Sequence, residues 1–242
     1  MLQDERSKLM TKQQHQTEYV VRCLFERKGN CSYVGHLDLM HIFDRAVRRA
    51  EMPILYTQGY NPRPMIVFAL PLGVGIHTVG DYVDISLAYE VKAEEFIPKV
   101  NAQLPQGVKI TKGINIPEPK NSLMSVVTTA KYCIEAPDIA KYMNMLFEKK
   151  EIVTEKKSKG KLVTTDIRPL LLSTLNKPFD NPDVFGFYAS AGSTSNLRPD
   201  VLLNALCEQT GYDKELASNA KVTRLSLYGG EYPKLLDIMT LL

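Results

Sequence analysis

Little in this chain of 242 residues marks a secreted, membrane-spanning or cofactor-loaded protein. Its four cysteines, Cys23, Cys31, Cys133 and Cys207, are too few and too scattered for a disulfide scaffold, so reduced thiols in a cytosol are expected. No two stand in C-x-x-C spacing and no His-x-x-x-His occurs, so the local motifs of zinc and iron–sulfur sites are missing and no cofactor or metal is expected. Cys23 and Cys31 read as one buried and one loop thiol. There is neither a G-x-x-x-x-G-K-[ST] phosphate loop nor a G-x-S-x-G nucleophile elbow. No run approaches the ~18 apolar residues of a membrane helix. The opening stretch, MLQDERSKLMTKQQHQTEY, lacks a signal-peptide apolar block, and Met10 offers a second start. A cytoplasmic protein without membrane partners is expected. The net charge of +3 is too small to announce a nucleic-acid binder.

What is present is an ordinary globular composition, 44% apolar and 24% charged, in a length that allows one large or two small domains. Residues 1–17 read as a flexible arm. YVVRCLFER (19–27) is a strand by its β-branched and aromatic content. A helix follows over 35–51, with Leu37, Met40, Phe43, Val47 and Ala50 on one face, and Pro53 beyond it. A short strand at 54–56, the turn-rich TQGYNPRP, a strand at 65–70 and a glycine-rich turn lead to YVDISLAY (82–89). There Val83, Ile85 and Leu87 alternate with Asp84 and Ser86. A helix containing Pro98 and a strand at 108–116 close the unit. PEPKNS reads as a linker. The order then restarts: a strand in TAKYCIEA, a helix from Pro137, two strands around a lysine-rich turn, VFGFYASA, a helix opened by Pro199, and VTRLSLYG.

Both halves spell strand–helix–strands–helix–strand. The fold class expected is α+β, as two tandem ferredoxin-like (βαββαβ) units with antiparallel sheets backed by helices. The domains run 1–17 arm, 18–117 first unit, 118–122 linker, 123–229 second unit and 230–242 docking tail. A single larger sheet, with the units merged edge to edge, is the rival arrangement.

Specific polar residues crowd one region, Lys28 to Leu70. His36 and Asp38 stand at the helix start. Asp38 and His41 are three apart, a spacing that serves either a carboxylate-held base or a capping acid beside a surface histidine. Tyr56, Gln58, Tyr60, Asn61 and Arg63 share one loop. Aromatics beside amides and a guanidinium suit a flat polar ligand or a base; the plainer alternative is a stiff loop with Tyr60 packed on the core. Arg45, Arg48 and Arg49 form a basic helix face. With Arg198 they are the candidate nucleic-acid contacts, and Lys156, Lys157, Lys159 and Lys161 add a basic hairpin tip. PLGVGIHTVG carries Gly73 and Gly75, but it does not open a helix and reads as a turn rather than a ligand loop.

The runs GHLDL (35–39), RAVRRA (45–50), YTQGYNPRP (56–64) and FALPL (68–72) resemble the radical-SAM-linked proteins, a family of unknown function. Gly35, Thr57 and Tyr60 depart from that family's usual serine, serine and phenylalanine. A weaker resemblance lies at NLRPD (196–200). Such domains occur fused to, or encoded beside, a cobalamin-type radical SAM protein, often near ribonuclease E/G and ribosomal-protein genes. This chain has no C-x-x-x-C-x-x-C motif, so the resemblance implies the stand-alone version. Its partner would hold the iron–sulfur cluster and the cobalamin.

Three functions compete. The resemblance implies a non-catalytic accessory subunit that presents substrate to a separate radical SAM enzyme, with His36, Asp38, Tyr56, Gln58, Tyr60, Asn61 and Arg63 at the ligand or partner site. The basic face favours an RNA-binding module in RNA processing or modification. The third is a metal-free enzyme with His36 or His41 as base; no second catalytic group accompanies either, so an activity of its own is the least expected.

Overall fold

In the computed structural model of the chain, residues 19–117, 119, 121–158, 161–175 and 180–241 are described. The expected arm, 1–17, lies outside them. The first half comprises β1 (Tyr19–Arg27), α1 (His36–Arg49), β2 (Ile66–Phe68), β3 (His77–Leu87), α2 (Ala93–Asn101) and β4 (Val108–Ile116). The short α3 (Leu123–Val126) leads into β5 (Thr129–Glu135), α4 (Ile139–Phe147), β6 (Val153–Ser158), β7 (Lys161–Asp166), β8 (Leu171–Thr174) and β9 (Val184–Ser190). Helices α5 (Pro199–Thr210) and α6 (Lys214–Ser218), then strands β10 (Lys221–Glu231) and β11 (Lys234–Asp237), complete it.

The protein is α+β, with one large, mostly antiparallel sheet in the order β4-β1-β3-β10-β5-β9-β8. Strands from both halves therefore belong to one sheet. Each half repeats one strand arrangement, fourth-first-third-second: β4-β1-β3-β2 and β10-β5-β9-β8. The halves meet where β3 and β10 run parallel, over two register pairs, Thr223 with His77 and Arg224 with Thr78. The same edge of β3 takes β2 further along, at Val83 to Ile85. Sharing that edge keeps β2 to three residues and the seam to two pairs.

Helix α1 buries Leu39, Phe43, Ala46 and Val47, spaced i, i+4, i+7, i+8. Leu37, expected on that face, is exposed, because the apolar stripe runs through Leu39 instead. Phe43 joins Phe25 and Phe68 in edge-to-face contacts at 5.2–5.6 Å between ring centres. Val21, Cys23, Val83, Ile85, Phe96 and Ile110 extend this core. A second core fills the other half between β5, β9, α4 and α5.

Strand β3 alternates as expected, yet Asp84 and Ser86 are buried too. Arg22 on β1 clamps Asp84 through two 2.8 Å bonds and donates to the carbonyls of Ile238 and Leu241. The C-terminal segment thereby covers the polar side of the first half's strands. The lysine-rich hairpin differs from expectation. Strands β6 and β7 pair only with each other, and β8 takes the edge beside β9. The hairpin packs instead on α5, where the buried Thr154 hydroxyl donates to Glu208 and the Gln209 amide to the Val153 carbonyl. The side chains of Lys156, Lys157, Lys159 and Lys161 lie outside the described residues. The expected strand at 54–56 reduces to single bridges, Ile54 with Leu87 and Tyr56 with Pro64.

Candidate functional site

The residues expected to share one site divide between two places, and a third place stands apart from both. The first is the loop from Tyr56 to Pro64. The Tyr56–Pro64 bridge closes its neck, the Thr57 N–H donates to the Arg63 carbonyl, and the Arg63 N–H donates to the Thr57 hydroxyl. Threonine at 57 thus still supplies a hydroxyl that ties the loop. Gln58, Tyr60, Asn61 and Arg63 are exposed, and Tyr60 stands fully in solvent. Only Tyr56, half-buried, packs inward. The alternative of Tyr60 on the core is thereby answered.

The second place is α1. Its cap Gly35 makes no side-chain bond, and Asp38 in the first turn is exposed, as is His41. Among the described residues no hydrogen bond joins Asp38 to His41. Arg48 pairs with Asp44 at 2.7 Å, while Arg45 bonds the His41 carbonyl, and neither Arg45 nor Arg49 has a carboxylate partner among the described residues. Ile42, Arg45, Arg49, Gln103 and Pro105 border a hollow of about 270 Å³. His36 faces the core, its ring edge-on to Phe68 at 5.4 Å, with a buried Nδ1 that has no hydrogen-bond partner among the described residues. Burial, then the charges of Arg224 and Arg27, hold its pKa below the ordinary histidine value.

The third place was not foreseen as a site. A cleft of about 1140 Å³ opens where the halves meet. One wall is the stretch Leu70–His77, the run read as a turn; the other is α5, α6 and the NLRPD segment, which brings Arg198 to the rim. Two buried guanidinium groups fix the first wall from beneath. Arg27, with no exposed surface, donates to the carbonyls of Val34, Gly73 and Ile76 at 2.6–2.7 Å. Arg224 donates to the carbonyls of Leu70 and Pro71 and grips Asp81 with bonds of 2.8 and 2.7 Å. Burial opposes the charge on Arg224, but Asp81 and then Tyr132 hold its pKa above the usual range. Burial lowers Arg27 to about 10, which leaves it charged at neutral pH. Gly75 turns the stretch at φ +82°, a conformation open to glycine, and its N–H reaches the Ser32 carbonyl at 2.8 Å.

The cleft and the Tyr60 loop lie toward opposite ends of β3, roughly 30 Å apart at ~3.3 Å per residue. The run from 35 to 72 therefore serves two surfaces. The signal for the cleft in the sequence was the pair of arginines inside strand segments, Arg27 and Arg224, where an ion in a strand calls for a buried partner. Among the described residues no group of three or more His, Cys, Asp or Glu side chains is placed to hold a metal ion, and no helix is long and apolar enough to cross a membrane.

Residues 21–199 match the family described as an uncharacterised protein conserved in bacteria, domain of unknown function 2344. Among curated proteins none matches the chain.

Proposed function

We propose, for a chain that belongs to this family of uncharacterised bacterial proteins, that it acts as a non-catalytic accessory subunit presenting substrate to a separate radical SAM enzyme. The partner supplies the iron–sulfur cluster, the cobalamin and the radical chemistry. The observation that carries this reading is the Tyr56–Pro64 loop. It is tied at its neck and offers a fully exposed tyrosine with two amides and a guanidinium, none of whose side chains makes a hydrogen bond or ion pair among the described residues. Rigid aromatic and arginine side chains of this kind are the usual anchors of protein interfaces. The fine structure of the fold belongs to the same proposal: each half is a ferredoxin-like unit, supported by the repeated fourth-first-third-second strand order and its antiparallel pairings.

The test is capture of the tagged chain from its native cells under anaerobic conditions with nuclease present. Wild type should retain a radical SAM protein, and a Tyr60→Ala, Arg63→Ala double variant should lose it while melting at the wild-type temperature. Retention of ribosomal proteins alone, or equal retention by the double variant, would sink the proposal.

A second reading, RNA binding by α1, is favoured by the two arginines without carboxylate partners, Arg45 and Arg49, which flank one hollow. Phosphate-driven binding there should fall steeply with salt. An Arg45→Ala, Arg49→Ala variant that binds RNA as tightly as wild type at ~50 mM salt would dismiss it.

A further inference from the structure

The loop that walls the seam cleft has its carbonyls and its amides on different duties. Four of its carbonyls, from Leu70, Pro71, Gly73 and Ile76, accept from Arg27 and Arg224 below. The consecutive N–H groups of Leu72, Gly73 and Val74 find no acceptor among the described residues. Among the described residues the Gly73 carbonyl is taken by Arg27 and by the Ile76 N–H, and the three neighbouring amides that lead into this turn are left as donors for an anion. The fixing costs two buried cations, so the shape is set before any ligand arrives.

The rest of the cleft has matching chemistry. The parallel register of His77 with Thr223 carries Lys221 to the level of Gly75, one strand away, where its ammonium pairs with Glu135 at 2.7 Å, so an anion in the cleft has to share it with that carboxylate. Lys214 stands on the opposite wall with no carboxylate partner among the described residues. The two acids of that wall are engaged, Asp200 by Arg198 and Glu208 by the Thr154 hydroxyl. Tyr33, 70% exposed, offers a ring at the rim. Asn196 and Asn204 add amides that suit base edges.

We infer that this cleft binds a nucleotide unit, its phosphate taken by the amides of residues 72–74 with Lys214 and Lys221, its base stacked on Tyr33. The chemistry is shared by a free nucleotide and by one unit of a single RNA strand. Burial first, then Lys221 and Arg27, hold His77 down against the opposing charge of Glu135, as burial, Arg224 and Arg27 do His36. The site is separate from the Tyr60 loop and from the Arg45–Arg49 hollow, and it stands or falls apart from both.

The test is equilibrium binding of inorganic phosphate, AMP, UMP and a six-residue oligouridylate to the full chain at ~50 mM salt. A nucleotide should bind more tightly than phosphate and be displaced by it. Lys214→Ala with Lys221→Ala should weaken binding by about tenfold or more per lost charge-assisted contact. Tyr33→Ala should weaken nucleotides and leave phosphate unchanged. All three side chains are exposed, so the variants should keep the wild-type melting temperature. An oligonucleotide far tighter than UMP assigns the site to a strand; equal affinities assign it to a free nucleotide. The inference is overturned if no probe binds, if nucleotides bind no better than phosphate, or if binding survives the lysine variant and is lost in Arg45→Ala, Arg49→Ala.

Discussion

Asp84 and Arg22 are each almost wholly buried, and among the described residues each is the other's only counter-ion. Burial pushes the Asp84 carboxyl up even against the hydrogen bond from Arg22. Such a pair adds little net stability while intact, but removing one partner strands a buried charge. Asp84→Ala should therefore cost about 3–5 kcal/mol in urea unfolding. Replacing both, Arg22→Met with Asp84→Leu, should recover much of that loss. If the double variant is no better than the single, the charge-burial account fails. His36 gives a pH dependence of known sign. Its folded pKa is depressed, so the unfolded chain takes up a proton first as pH falls. Stability should decline as pH drops through about 6.5 and level off below the folded value. A His36→Phe variant, compared with wild type in urea midpoints at several pH values, should show a shallower slope. Identical slopes would mean that His36 does not titrate differently on unfolding.

At the level of elements, the Leu70–His77 loop gives the clearest expectation. A β-carbon at Gly75 meets nothing within 4 Å, so sterics with neighbours are no obstacle. The cost of Gly75→Ala lies in the positive φ alone and should be about 1–2 kcal/mol. Denaturant melts would read it; a neutral or stabilising result would show that the turn relaxes without glycine. This loop also shows where the sequence was legible and where it was not. Most strands and the longer helices followed from local patterning: α1 from its 3.6-residue spacing, β1 and β3 from β-branched alternation, α5 from Pro199 at its start and Gly211 in a left-handed conformation past its end. Strands β8 and β11, four residues each, carry too little pattern to stand out. The burial of Asp84 was not readable from β3, because the cover comes from residues near 240. The candidate loop at 56–64 was legible by its turn residues and polar content. The cleft was not, since its walls are far apart in sequence and are joined through the β3–β10 pairing and the bonds of Arg224.

For the whole molecule, the seam sets the cooperativity. Only two ladder pairs cross it, yet Thr78 donates to the Arg224 carbonyl, Asp81 holds Arg224, and the Tyr82 hydroxyl reaches Asp237. Gly80 lies so close to the partner strand that a β-carbon there would stand 2.2 Å from the Leu225 carbonyl oxygen. Ala69, Leu70 and Tyr82 of the first half are built into the core of the second. The two halves should accordingly unfold in one calorimetric transition. Gly80→Val should lower its midpoint, or split it in two by prising the strands apart. Two transitions in the wild type would mean that the polar seam does not couple the cores.

Asp81 and Arg224 are 143 residues apart in the chain, and Arg22 is 216 residues from the carbonyl of Ile238. A ribosome adding roughly 5–20 residues per second delivers Asp81 about 7–30 s before its partner. Throughout that interval the nascent first half carries an acid whose burial has no counter-ion, and Arg22 has no tail carbonyls to meet. The seam can dry only when Arg224 and the residues near 240 arrive. Their synthesis, rather than completion of the first core, is the event that closes this fold, and a chain truncated before residue 224 has its defect at residues already made.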